Sequence, residues 1–286
     1  MQGTLDTADT LNSRQFFIAV KKLADAFSYG TDRSPFLGSG LEYVQSRPYV
    51  FGDPVRSIDW RVTARTRKIH VKEYEAPKRM PCYLLIDTSA SMTVSSVKRS
   101  KYATAIHIAG GFALACLDRI SPVGVVGVGE REFRVEPSLS RDQIMQWLHR
   151  LRTFRYDEPT AIGRRVAQLS PHLTNRSLIV VLSDLHDPTA LSALKLLGTR
   201  HDVVVLQLQD PAERGLRGTG FFRAREAETG RPFVTHGRQR WLSPEQVAAP
   251  LKKAGIDHLV IDTDQPFAHT LRSFFHSRNL LGRGAR

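Results

Sequence analysis

A chain of 286 residues that is 41% apolar can bury one large or two modest cores, which excludes disorder as its default state. Its 41 Lys and Arg against 28 Asp and Glu leave a net charge of +13, a field that favours acidic partners: nucleic acid, an anionic membrane or an acidic protein. The basic runs, RVTARTRK (Arg61 to Lys68) and the terminal RGAR, are neither dense nor interleaved with aromatics, so nucleic-acid binding is disfavoured. The two cysteines, Cys82 and Cys116, lie in apolar surroundings and point to a reducing compartment. The polar, acidic start MQGTLDTADT does not read as a signal peptide, and no stretch approaches the ~20 apolar residues of a membrane span, so a cytoplasmic location is expected.

In chain order, Phe16, Phe17, Val20, Leu23 and Phe27 recur at helical spacing and predict a helix over Asn12 to Tyr29. Gly30 to Asp53 is rich in Gly, Ser, Pro and Arg and reads as an extended loop or arm. Ile69, Val71 and Tyr74 suggest a strand. From Pro81 the pattern becomes an alternation of strands and helices. Predicted strands are Tyr83 to Ile86, Val123 to Val128 (with Glu132 to Val135 as a hairpin partner), Leu178 to Leu182, Val203 to Leu208 and His258 to Ile261. Predicted helices are Val97 to Leu117, Arg141 to Leu151, Ala161 to Leu169, Ala190 to Leu197, Pro244 to Ala254 and Pro266 to Ser277. Phe221 to Val234 reads as two short strands around Thr229-Gly230. Gly110 and Gly111 lie inside a helical pattern and suit close helix–sheet packing. The alternation predicts an α/β fold with a doubly wound, mainly parallel sheet, preceded by an N-terminal helix and arm. The expected division is 1–78 for helix and arm and 79–286 for the α/β domain.

The run YLLIDTSASM, Tyr83 to Met92, carries the chemistry. An apolar strand of the kind buried on both faces of a parallel sheet ends in Asp87, Ser89 and Ser91. Ligand sites of open α/β sheets lie at the carboxyl ends of the strands. One carboxylate and two hydroxyls there offer hard oxygen donors suited to a divalent cation such as Mg²⁺, with Mn²⁺ or Ca²⁺ as alternatives. Asp, Thr and Ser are also ordinary turn and cap residues. A second apolar strand, SLIVVLSD, ends in Asp184 at the same expected edge, and DEPTAIG places Thr160 at the start of a helix. Asp87, Ser89, Ser91, Thr160 and Asp184 are therefore the candidate metal ligands.

This set resembles the metal-ion-dependent adhesion site of the von Willebrand factor A domain, through DTSAS, Thr160 and the Asp184 of LSD. In that fold the two Ser hold the ion, the Thr contributes directly or through water, and the acids often act through water. The usual Gly after the second Asp is replaced by Leu185. Upstream, the landmarks Gly38-Ser39-Gly40, Glu42-Tyr43, Arg47, Tyr49, Gly52-Asp53, Arg56, Ile58-Asp59-Trp60, Ala64-Arg65 and Lys72 resemble the signature of domain-of-unknown-function family fifty-eight. The closing TDQPFAHTLRSFFHSR is similar to that family's C-terminus. The chain lacks the two N-terminal membrane helices of many members and is similar to the shorter, soluble group. The resemblance implies association with a MoxR-type AAA+ ATPase in chaperone-like assembly or metal insertion.

Three functions follow. The leading one is a non-catalytic, Mg²⁺-dependent binding module whose ion takes an acidic side chain from a protein partner. Arg56, Trp60 and Arg65 would form a further partner-binding surface, since Trp and Arg are favoured interface anchors; a purely structural arm is the other reading. The second function is a metal-dependent hydrolase, for which His107, His172 and His186 are the candidate bases and His186 the best placed. The third is nucleic-acid binding through the basic surface. The chain has no GxxxxGK[ST] loop, so it is not itself a P-loop ATPase.

Overall fold

The computed structural model describes residues 13–28, 42–75, 80–118, 120–153, 157–214, 221–225, 227–236 and 244–280. The opening decapeptide, Gly38 to Gly40 of the upstream signature and the terminal RGAR lie outside the described residues.

A six-stranded sheet runs through the centre. In chain order its strands are β3 (Cys82–Ile86), β4 (Val123–Gly127), β5 (Arg134–Ser138), β6 (Leu178–Ser183), β7 (Asp202–Gln209) and β10 (Asp257–Asp262), in spatial order β10-β7-β6-β3-β4-β5. The first five of that order are parallel, and β5 returns antiparallel beside β4 and carries Pro137. Two small antiparallel ribbons stand apart: β1 (Glu42–Pro48) with β2 (His70–Glu75), and β8 (Phe221–Arg225) with β9 (Pro232–His236). This is the expected α/β arrangement with a mostly parallel sheet.

Alternation along β3 sorts its side chains between two cores. Cys82, Leu84 and Ile86 face the layer of α1 (Ser13–Ser28), α3 (Lys101–Asp118), α4 (Arg141–Arg152) and α8 (Ala268–Leu280). Tyr83 and Leu85 face α5 (Ile162–Leu169), α6 (Ala190–Gly198) and α7 (Pro244–Lys253). Leu84, Leu85 and Ile86 are wholly buried, each worth about 1.5–3 kcal/mol. That two-sided burial is why β3 and β6 read as unbroken apolar runs.

Helix α3 is buried nearly all round, as an apolar central helix must be. Helix α1 lays Phe16, Val20, Leu23 and Ala24 on it. A Cβ on Gly110 would stand 3.0 Å from the Val20 methyls, and one on Gly111 would stand 2.7 Å from Leu23. The two glycines therefore admit a helix, where the sequence suggested the sheet. His107 lies in the same layer, edge-on to Phe267 at 5.5 Å; burial holds its pKa below the ordinary value, as befits a packed neutral imidazole.

The arm holds a short helix the sequence reading did not anticipate, α2 (Trp60–Thr66). Asp59 caps it, accepting from the N–H groups of Arg61 and Val62, and also takes the Ser46 hydroxyl at 2.7 Å. Arg47 forks onto Asp53 through two 2.8 Å hydrogen bonds, and that contact with the Val50 N–H lowers Asp53 to about pKa 2. The two acids of this stretch thus take different parts, Asp53 in an ion pair and Asp59 in a helix cap. No helix among the described residues is long and apolar enough to cross a membrane.

Candidate functional site

Asp87 follows β3 directly. Its N–H donates to the Leu182 carbonyl of β6 at 2.9 Å, and Val128, just past β4, donates to the Ile86 carbonyl at 2.9 Å. The carboxyl ends of three central strands are thereby held together. Ser89 is extended and opens a 3₁₀ turn, Ala90–Thr93. The Ser89 N–H donates to Asp87 Oδ1 at 3.0 Å, so the loop turns back on its own acid and brings Ser91 beside Ser89.

The loop before α5 is pinned to the same place. Glu158 takes the Thr88 hydroxyl at 2.6 Å and the Arg131 N–H at 2.6 Å, while its carbonyl accepts from Ala90. Gly129 lies beneath this contact, where a Cβ would come within 2.1 Å of the Glu158 carboxylate. Thr160, bridged to Gly129, then donates its hydroxyl to Asp87 Oδ2 at 3.3 Å, and Ser183 donates to the same oxygen at 2.5 Å. On the far side, Asp187 accepts from the Gly163 N–H and from Thr189, which ties the loop after β6 to α5.

All five candidates from the sequence meet here. Asp87, Ser89, Ser91 and Asp184 are buried, and Thr160 lies at the rim. The Ser89 and Ser91 hydroxyl oxygens are 3.0 Å apart. That is a hydrogen-bond distance and also about the spacing of two neighbouring ligands around an octahedral ion held at ~2.1 Å. Leu185 has φ +62°, the left-handed conformation for which glycine is the unstrained choice, while its side chain is buried in the α5–α7 core.

Several groups at the site carried no sequence signal. The Lys101 ammonium, at the first position of α3, is 1% exposed; it donates to Asp184 Oδ2 at 2.7 Å and to Glu213 Oε1. Burial works against this ammonium, but Asp184 and Glu213 outweigh it and hold the amine above its ordinary pKa. His186 Nδ1 lies 3.4 Å from Asp184 Oδ2. The carboxylates of Asp184 and Glu213 and the His186 ring have the spacing of a metal cluster, but the cation between Asp184 and Glu213 is Lys101 itself. Glu228, in the β8–β9 turn, is within hydrogen-bonding reach of the Ser91 hydroxyl and the Thr160 N–H. Pairing with a lysine is invisible in a list of residue types, and Glu228 is far from Asp87 in sequence.

Electrostatics distinguish the two central acids. Burial, then the charge of Asp184, push Asp87 up to about pKa 6 despite the hydroxyls that hydrogen-bond to it. Burial also acts on Asp184, but Lys101 and then His186 overcome it and hold Asp184 below the ordinary carboxylate value. Among the described residues, the buried Asp87 and Asp184 and the half-buried Glu213 and Glu228 set four carboxyl groups around the Lys101 ammonium, with His186 beside Asp184. Such a surplus of buried negative charge is costly unless a proton or a cation joins it.

The family model described as "Protein of unknown function DUF58" matches residues 45–243. The chain belongs to this family. An uncharacterized protein of Mycobacterium bovis and two of Mycobacterium tuberculosis are each 26% identical over 223 residues, which cover 76% of this chain and 70% of theirs. The matched DUF58 region includes Asp87, Ser89, Ser91, Thr160, Asp184 and Glu228, together with Arg56, Trp60 and Arg65 of the arm. Those three arm residues are all exposed, Trp60 at 67%, so Trp60 does not fasten the arm by burial.

Proposed function

We propose that this DUF58 protein is a non-catalytic, Mg²⁺-dependent docking module of the von Willebrand factor A type. The observation that carries the reading is the convergence of the Ser89 and Thr160 hydroxyls on Asp87, with the Ser91 hydroxyl beside Ser89 and within reach of Asp184, inside a local excess of carboxyl groups. Ser89 and Ser91 would hold the ion directly, with Thr160 beside them. Asp87 and Asp184 would supply charge, and Lys101 keeps Asp184 ionised and fixed. A bound Mg²⁺ would supply a Lewis-acidic position for a carboxylate from a partner protein.

By the family resemblance, that partner is a MoxR-type AAA+ ATPase, with the chain as its adaptor in assembly or metal insertion. The exposed arm, with Arg56, Trp60 and Arg65 and a nearby Phe51 that is 99% exposed, supplies a second contact surface of the composition favoured at interfaces. A pull-down of a MoxR-type ATPase on the immobilised full chain tests both parts. Retention with Mg²⁺, lost on chelation and in Asp87→Ala and Ser89→Ala, is expected; retention indifferent to chelator and to both substitutions would overturn the reading. Mg²⁺-dependent phosphoester turnover abolished by Asp87→Ala would favour the hydrolase instead.

A further inference from the structure

The β8–β9 hairpin lies outside the main sheet, yet its turn reaches the Asp87 site. Ala227, Thr229, Gly230, Arg231 and Pro232 are exposed, and Glu228 alone in 227–232 is turned inward. Its carboxylate lies within hydrogen-bonding reach of the Thr160 N–H and the Ser91 hydroxyl, and within the field of Asp184. Its Oε1 is buried and has no hydrogen-bond partner among the described residues. Such an orphaned oxygen is costly to bury. The fold thus brings a fourth carboxylate to a centre already rich in them, on an element that contributes nothing to the main sheet. The turn is short, with Gly230 at φ +69°, so Glu228 is carried by the same two-stranded unit as β8 and β9.

We infer that Glu228 is an internal ligand of the site: its carboxylate, with one buried oxygen left without a partner, lies within reach of Ser91 and Thr160, two of the residues that would surround the cation, so the chain supplies an acid to its own ion and a partner's carboxylate must displace the hairpin. This rests on the metal-dependent docking reading and adds a regulatory element to it. A carboxylate delivered within the same chain acts at high effective concentration, so a partner must bring additional contacts to compete. The partner class follows: an acidic segment whose carboxylate replaces that of Glu228, aided by contacts elsewhere on the surface.

The test titrates Mn²⁺ into the full-length wild type, Glu228→Gln and Asp87→Ala, reading affinity by isothermal calorimetry and bound water by proton relaxation enhancement. Hydrogen exchange of residues 221–236 is followed with and without the ion. Glu228→Gln is expected to bind Mn²⁺ about tenfold more weakly, with more ion-bound water per site. In the wild type alone, Mn²⁺ should protect the hairpin from exchange. Mn²⁺ binding that is lost in Asp87→Ala but unchanged in affinity, hydration and hairpin protection in Glu228→Gln overturns the internal ligand and leaves the metal site standing. No Mn²⁺ binding in either wild type or Glu228→Gln overturns both.

Discussion

Lys101 and Asp184 form an ion pair in which each side chain is 1% exposed, with Nζ 2.7 Å from Oδ2. The pair joins the start of α3 to the end of β6, and Glu213 shares the ammonium. Removing one partner of such a pair leaves an uncompensated buried charge, which costs about 3–5 kcal/mol. Lys101→Met should lose that much in urea denaturation under chelation. Because the substitution leaves the carboxylates without their cation, Mg²⁺ should stabilise Lys101→Met more than it stabilises the wild type. A variant within 1 kcal/mol of wild type would show that Asp184 finds another partner.

Asp87 gives the metal-free protein a distinctive pH dependence. Its pKa rises from 3.8 to about 6 on folding, so between these values the folded state holds the proton the unfolded chain releases. Stability from this group is therefore full below about pH 4 and falls as pH rises to about 6. The cost at neutral pH is on the order of 3 kcal/mol. Asp87→Asn, whose amide can donate to Ser183 or Thr160, should be more stable than wild type at pH 7.5 in chelator. The gap should close towards pH 4, while Mg²⁺ binding is lost. Denaturation midpoints across pH 4–8 measure it; a gap independent of pH would contradict the linkage.

At Leu185 the backbone and the side chain want different residues. The left-handed φ of +62° costs a non-glycine residue roughly 1–2 kcal/mol, while burying the leucine contributes more. Both Leu185→Gly and Leu185→Ala should be destabilised, since both lose the buried chain. Leu185→Gly should be the more stable of the two by about 1 kcal/mol, the reverse of their usual order. Paired thermal melts suffice to compare them.

The α1–α3 contact is equally specific. Gly111→Ala drives a methyl to 2.7 Å from Leu23 and should cost about 1–3 kcal/mol. Leu23→Ala in the same chain should relieve part of that clash, giving a favourable coupling in a double-mutant cycle. Simple additivity would mean that α1 shifts freely on α3.

Arm substitutions should separate binding from folding. Trp60 is 67% exposed, so Trp60→Ala should change stability by no more than about 0.5 kcal/mol. If the arm is the second contact surface, the same substitution should weaken retention of a MoxR-type ATPase about tenfold. A fall in melting temperature with retention intact would return the arm to a structural role.

The features legible in the sequence were those with local causes. β3 and β6 appear as apolar runs because both faces are buried, and Asp87, Ser89 and Ser91 follow from one loop. Asp184 required only that parallel strands end at a common edge, and Thr160 that the loop opening a helix lie at that edge. The arm helix escaped because seven residues of mixed character, Trp60–Thr66, show little period, and the cap at Asp59 reads equally well as an ion-pair partner. Lys101, Glu213 and Glu228 escaped because they reach the site from α3, the loop after β7 and a detached hairpin. Nothing in a buried lysine's sequence neighbourhood records that two acids enclose it. Leu185 shows another case, where a buried leucine takes the left-handed conformation that glycine favours.

Pro137 lies in β5, the strand that closes one side of the main sheet. Proline lacks an N–H, and Pro137 stands where β5 shifts register opposite Gly124 of β4, so the ladder of this border strand is interrupted there. That interruption makes β5 a less regular template for a further strand than the unbroken β3 or β6 would be.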